Sequence, residues 1–215
     1  MSILSEVENV ARRGDKLREH MLFTAKDVFL EVGFERASMD VIAARAETTK
    51  RTLYAHFENK EKLFLAVFEL VRDLTLSRLK MPGEYADDSE EALVLFCARF
   101  LELLLWDKRI RMFRLSIAEA ERFPDAAERF YDTVFGTAQG RLEVFLGERL
   151  KLSHKAATRV AQDLLGRILF PRFTRALFGL DLLSEEKLDD KELSAKLDLD
   201  AVRRAVAEVV PLAAR

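Results

Sequence analysis

Cysteine is nearly missing from this chain, which has a single one, Cys97, in 215 residues. One thiol cannot close an intrachain disulfide, and its neighbours Phe96, Phe100 and Leu101 mark it as a buried structural thiol in an apolar helix. Glycine and proline are scarce as well, at eight and four residues. With so little punctuation and so much Ala, Leu, Glu, Arg and Lys, the composition predicts an all-α protein without strands. No stretch is apolar for long enough to span a membrane, and residues 1–20 lack the apolar centre of a signal peptide. The expected compartment is therefore the cytoplasm, with no membrane partner. Catalytic signatures are missing too. His20, His56 and His154 share no metal-ligand spacing, no glycine-rich phosphate loop occurs, and no nucleophile stands beside a base. Glu119 and Glu121 lie two apart on a helix and point in different directions. The chain is expected to be no enzyme and to hold no cofactor or metal.

An excess of positive charge is also lacking: 35 Lys and Arg face 37 Asp and Glu, for a formal net charge of -2. That excludes the basic balance of a non-specific nucleic-acid binder. Residues 1–60 are even, with ten basic against ten acidic side chains, and residues 181–200 are acidic, with eight against three. The acidic stretch is expected to be a solvated loop.

What the chain does contain is concentrated in residues 38–60, SMDVIAARAETTKRTLYAHFENK. Ser38 can cap a short helix, with Asp40 in its first turn and Ile42, Ala43 and Ala46 on its apolar side. That helix should end near Ala46. Thr48 and Thr49 then offer hydroxyl caps for a second helix, which buries Leu53 and Phe57 at four-residue spacing. Its other side carries Lys50, Arg51 and Thr52, then Tyr54 and His56. Two cations in a first turn oppose the helix dipole, at a cost of a few tenths of a kcal/mol each. They make sense if a DNA phosphate lies at that helix end, where backbone N–H groups, hydroxyls and cations converge on one anion. This is the layout of a helix-turn-helix reader.

The run IAARAETTKRTLYAHFENKEKLF resembles the DNA-binding signature of the TetR family of transcriptional regulators. Ile42, Ala43, Thr49, Leu53, Tyr54, His56, Phe57 and Lys60 carry the likeness. The resemblance implies that Ser38, Thr49, Tyr54, His56 and Lys60 face phosphates, with Thr48 beside them, and that Lys50, Arg51 and Thr52 lie closest to base edges. Met39 stands where the family more often has a small or hydroxyl residue, and Glu47 where it commonly has glycine. An L-residue there either bears a positive φ, at roughly 1 kcal/mol, or the turn differs.

Asp15 is expected to cap a first long helix built on Leu17, Met21, Ala25, Val28 and Val32, with Gly33 as its stop. Residues 1–14 would precede it as a disordered or flexible arm, and 15–60 would form the reader domain. Residues 61–215 would form a larger helical ligand-binding and dimerisation domain, for about nine helices in all. Asn59 should cap the fourth, with Leu63, Val67, Leu70 and Leu74 inward, and Asp88 the fifth, with Leu93, Phe96, Phe100 and Leu103 inward. Arg109–Arg122 reads as a sixth helix, Pro124 to about Leu150 as a seventh, and Ser153–Leu180 as an eighth kinked at Pro171. Asp200–Pro211 is the last. Residues 114–131, RLSIAEAERFPDAAERFY, resemble AcrR-like members of the family.

Seven aromatic residues of the larger domain, Phe96, Phe100, Trp106, Phe113, Phe135, Phe170 and Phe173, could line a cavity for a small hydrophobic or aromatic effector, or simply fill the core. Arg114, Glu119 or Arg175 would fix the polar end of such a ligand. The family resemblance implies a homodimer through the last two long helices, a double-stranded DNA operator, and repression relieved by the effector. The opposing reading is an all-helical ligand-binding or interaction protein whose reader has lost its affinity for DNA.

Overall fold

The computed structural model describes residues 3–181, 183, 192–194 and 197–213, and no strand forms among them. The chain divides into two compact units, Met1–Val71 and Arg72–Arg215. The division falls inside a helix, not ahead of it.

The first unit holds α1 (Ile3–Arg36), α2 (Met39–Arg45), α3 (Lys50–Phe57) and the start of α4 (Lys60–Leu76). Helix α1 begins twelve residues before the expected cap at Asp15 and includes most of the expected arm. Ile3, Val7 and Val10 recur at helical spacing, and a glycine such as Gly14 inside a helix costs only about 1 kcal/mol. At Gly33 the backbone leaves helical geometry, with φ 78° and ψ 171°. A Cβ would strain that conformation, which is why glycine stands there. Met21, Ala25, Val28, Phe29 and Phe34 of this helix are buried with Ile42, Leu53, Phe57, Leu63 and Val67. Phe64 centres the aromatic part, 5.1 Å from Phe29 and 4.8 Å from both Phe34 and Phe68. The edge-to-face pairs with Phe29 and Phe34 add about 0.5–1.5 kcal/mol each beyond area burial.

In the second unit α5 (Ser89–Leu105) is the buried centre. Asp88 caps it by accepting the Glu91 N–H at 2.8 Å. Around it stand α6 (Asp107–Ala118), α7 (Pro124–Tyr131), α8 (Thr137–Arg149), α9 (His154–Leu169), α10 (Arg172–Leu177) and α11 (Leu199–Ala213). Helix α9 packs on α8 and α11, and α11 also lies on α5. Leu74, expected inward on α4, is exposed instead.

Two of the expected helices are each broken in two. The seventh is interrupted by a π-helical turn, Asp132–Gly136. That extra residue per turn shifts the phase, so the buried row passes through Phe130 and leaves Tyr131 exposed. The eighth stops at Leu169 and restarts at Arg172, because Pro171 lacks the N–H that would continue it. The sixth ends early, at Ala118.

Part of the acidic stretch is fastened to the core. Arg99 and Glu102 form a buried ion pair at 2.6 Å. Glu102 Oε1 accepts the Ser194 N–H at 2.6 Å, and Arg99 Nη2 donates to the Glu192 carbonyl at 3.1 Å. Residues 192–194 are thus held by charge-assisted bonds and are not a solvated loop. Residues 182, 184–191, 195 and 196 of that stretch lie outside the described residues.

Candidate nucleic-acid interface

The α2–α3 corner is built from two hydroxyl caps and one strained turn. Ser38 Oγ accepts the Val41 N–H at 3.3 Å, and Thr49 Oγ1 accepts the Thr52 N–H at 3.1 Å. Each satisfies a donor that the helix start would leave unpaired. Between the helices Glu47 takes φ 49°, so it bears the left-handed conformation that glycine would adopt freely. Thr48 N–H then closes on the Ala43 carbonyl at 3.0 Å and turns the chain into α3.

Leu53 and Phe57 hold one side of α3 in the core, which leaves Lys50, Arg51, Tyr54 and His56 exposed on the other and Thr52 half-buried. No acidic residue occupies the first turn of α3. Lys50 reaches back to Asp40 at 2.5 Å, with both side chains more than half exposed. Such a pair contributes at most about 1 kcal/mol, so an approaching phosphate can displace the carboxylate. Thr49 and Thr52 hydroxyls lie 2.8 Å apart. Amide donors, two hydroxyls and two cations therefore share the amino end of α3, an arrangement suited to an anion.

Two residues from the expected contact set are placed elsewhere. Met39 is 6% exposed and belongs to the core, because it shares the inward face of α2 with Ile42 and Ala43 three and four residues on. Lys60, the first residue of α4, sends its ammonium to the carbonyls of Phe34, Glu35 and Ala37 at 2.9, 3.2 and 3.2 Å. Spacing alone gave no signal for this, because the carbonyls in need of donors are set by where α1 ends, at Arg36.

In the second unit, Phe100, Phe113, Phe135 and Phe173 come together. Phe113 lies 5.6 Å from Phe135 and 5.0 Å from Phe173, and Phe135 lies 6.2 Å from Phe100. Phe130 and Tyr131, which were not among the expected cavity residues, join at 5.1 Å from Phe113 and 5.0 Å from Phe135. The π-helical turn carries Phe135 into this cluster, and such turns are frequent at functional sites. Phe96 instead faces Tyr85, at 6.3 Å. Trp106 precedes α6, and its buried indole Nε1 has no hydrogen-bond partner among the described residues.

The expected polar contacts do not converge on the cluster. Arg114 donates to the Leu177 and Ala176 carbonyls at 2.8 and 2.7 Å, which closes the end of α10. Arg175 pairs with Asp181 at 2.9 Å, and Glu119 ends α6. Phe170 is 69% exposed and borders a groove between α9 and α11. Burial, helped by the charge of Arg78, lowers the Arg109 guanidinium to about 10, so it remains protonated at neutral pH. Burial likewise pushes the Cys97 thiol up, which leaves it unreactive. Among the described residues no group of His, Cys, Asp and Glu could hold a metal ion, and no helix is long and apolar enough to cross a membrane.

Residues 22–67 match the family model for bacterial regulatory proteins of the tetR family, and residues 91–207 match that for the C-terminal domain of AefR-like transcriptional repressors. The transcriptional activator FasR of Mycolicibacterium smegmatis is 32% identical over 103 residues, 46% of this chain and 47% of FasR. The transcriptional repressor NicS of Pseudomonas putida is 31% identical over 102 residues, 47% of this chain and 45% of NicS. The chain thus spans about half the length of these curated relatives. A TetR-family regulator from Mesorhizobium loti shares the fold with a TM-score of 0.74 at 23% identity, covering 93% of this chain and 98% of that one. The flavonoid-responsive regulator FrrA follows with a TM-score of 0.68 at 25% identity, over 93% and 95%.

Proposed function

The chain belongs to the TetR family of bacterial regulatory proteins, and from that premise we propose that it is a sequence-specific, DNA-binding transcriptional regulator working as a homodimer. The observation that carries this reading is the exposed amino end of α3, where Thr49, Lys50, Arg51 and Thr52 gather with no acidic residue in the first turn. Lys50, Arg51 and Thr52 read base edges, while Ser38, Thr48, Thr49, Tyr54 and His56 meet the phosphates on either side. With an even overall charge, affinity comes from this local cluster and is site-selective.

Support for a twin subunit comes from the second unit. Gly166, Arg167, Phe170, Ala201, Arg204, Ala205 and Glu208 line an open groove of about 470 Å³ between α9 and α11. An exposed phenylalanine beside small residues and paired charges suits a self-complementary helical interface. Two protomers joined there carry two α3 ends to successive major grooves, one helical turn of DNA apart.

The effector is an apolar or aromatic small molecule taken up at the Phe100, Phe113, Phe135 and Phe173 cluster. Its binding favours a conformation in which the two α3 ends no longer match adjacent grooves, so it releases the operator. Helix α4 is continuous from Lys60 to Leu76 and belongs to both units, which makes it the lever. Repression is the default sign, in keeping with the AefR-like repressor model over residues 91–207.

Selection of duplexes from a random pool by the purified chain tests the reading. Enrichment of one palindromic site, bound with a steep salt dependence, is the expected result. Weak binding to every duplex alike would instead favour a ligand-binding or interaction protein whose reader is silent.

A further inference from the structure

We propose that Arg141 and Tyr85 receive a carboxylate on the effector, so that the ligand is an apolar or aromatic body with one anionic end. This rests on the effector reading above and adds the polar contact that Arg114, Glu119 and Arg175 do not supply. Arg141 is half-buried on α8, beside the buried row of Ala138, Leu142 and Phe145. Its Nη1 is fully buried and has no hydrogen-bond partner among the described residues. A charged donor in that position has lost water and gained nothing in return. A ligand oxygen at Nη1 removes the penalty, and a carboxylate also matches the charge.

Tyr85 shares the place. It follows the short helical turn Pro82–Glu84, and the charges of Arg99 and Arg141 both reach its hydroxyl. That hydroxyl accepts the Lys80 N–H at 3.0 Å and keeps its own proton to donate. Burial raises the phenol above its ordinary range, against the Lys80 bond and the two cations, so it stays protonated at neutral pH. Arg99 is matched by Glu102 at 2.6 Å. Glu84, the acidic neighbour, is exposed and accepts the Met81 N–H at 2.7 Å, so solvent weakens its repulsion of an incoming anion.

Helix geometry ties this pair to the aromatic cluster. Tyr85 packs against Phe96 at 6.3 Å, and Phe100, one turn further along α5, packs against Phe135 at 6.2 Å. A turn rises about 5.4 Å, and the step along the chain from Phe135 to Arg141 rises about 9 Å. An effector whose ring lies in the cluster therefore carries its carboxylate about 5–9 Å away.

Matched probes decide it. Calorimetric titration of the full chain compares phenylbutyrate with phenylbutyramide and octanoate with octanamide, which differ in the charged end alone. Each carboxylate should bind at least tenfold tighter than its amide. Arg141→Gln should erase that preference and leave the amides unchanged, and Arg141→Lys should restore part of it. Tyr85→Phe should weaken the carboxylates three- to tenfold more than the amides. Equal binding of acid and amide by the wild type would overturn the assignment and leave Nη1 to water. A preference that survives Arg141→Gln, or carboxylates that fail to bind at millimolar concentration, would overturn it as well. If Arg141→Gln does not fold, Tyr85→Phe decides. Phe113→Ala judges the cluster separately: weaker binding of acid and amide alike supports it, and no change in either removes the cluster while the Arg141 result stands.

Discussion

At the scale of single residues, the reader turns on side chains whose partners lie close in sequence. Arg51 is exposed at the first turn of α3. Arg51→Ala is expected to weaken binding to the selected duplex by ten- to a hundredfold and to flatten its preference at one base pair, since a bidentate arginine–guanine contact is worth about 1–3 kcal/mol. Competition with single-base variants of the duplex measures this, and an unchanged preference would contradict the role. Glu47 bears φ 49° with an exposed carboxylate beside the same surface. Glu47→Gly should therefore raise stability by about 1 kcal/mol, read as a higher urea midpoint, and tighten DNA binding modestly. A lower midpoint would show that the turn is not strained. The caps at Ser38 and Thr49 were legible because a hydroxyl and its N–H three residues on need no tertiary context. Met39 and Lys60 were not, because a motif gives a position, whereas burial and carbonyl partners depend on where α1 ends.

Helices show the same division between local and tertiary causes. The starts at Asp88, Asn59 and Ser153 were legible as caps, and Asn59 Oδ1 does accept the Lys62 N–H at 2.8 Å. The inward rows of α5 and α11 followed from apolar spacing, and Leu93, Phe96, Phe100, Val202, Val206 and Val209 are all buried. The π-helical turn at Asp132–Gly136 was hidden, because one extra residue in a turn leaves no compositional mark and serves to bring Phe135 to Phe113. Equally hidden was the strap at residues 192–194, held by a carboxylate that a sequence reader assigns to the surface. The Arg99–Glu102 pair is buried on both sides, so Glu102→Ala removes the buried carboxylate to which both Arg99 and the Ser194 N–H bond. Its expected cost is about 3–5 kcal/mol in urea unfolding of the chain. A loss below about 1 kcal/mol would mean that water reaches the site.

For the whole molecule, the claim is that two chains act as one reader. Phe170 is largely exposed in the single chain, so Phe170→Glu should leave secondary structure and thermal unfolding of the protomer nearly unchanged. Sedimentation should nonetheless shift from dimer toward monomer, and operator affinity should fall with it, because a lone α3 end loses its neighbour's contribution. A variant that stays dimeric would move the interface away from α9 and α11. The most direct check on the account is a hydroxyl-radical footprint of the wild-type chain on its selected duplex. It should give two protected patches centred about 10–10.5 base pairs apart, each dependent on Arg51. A single patch, or protection that ignores sequence, would contradict a paired reader.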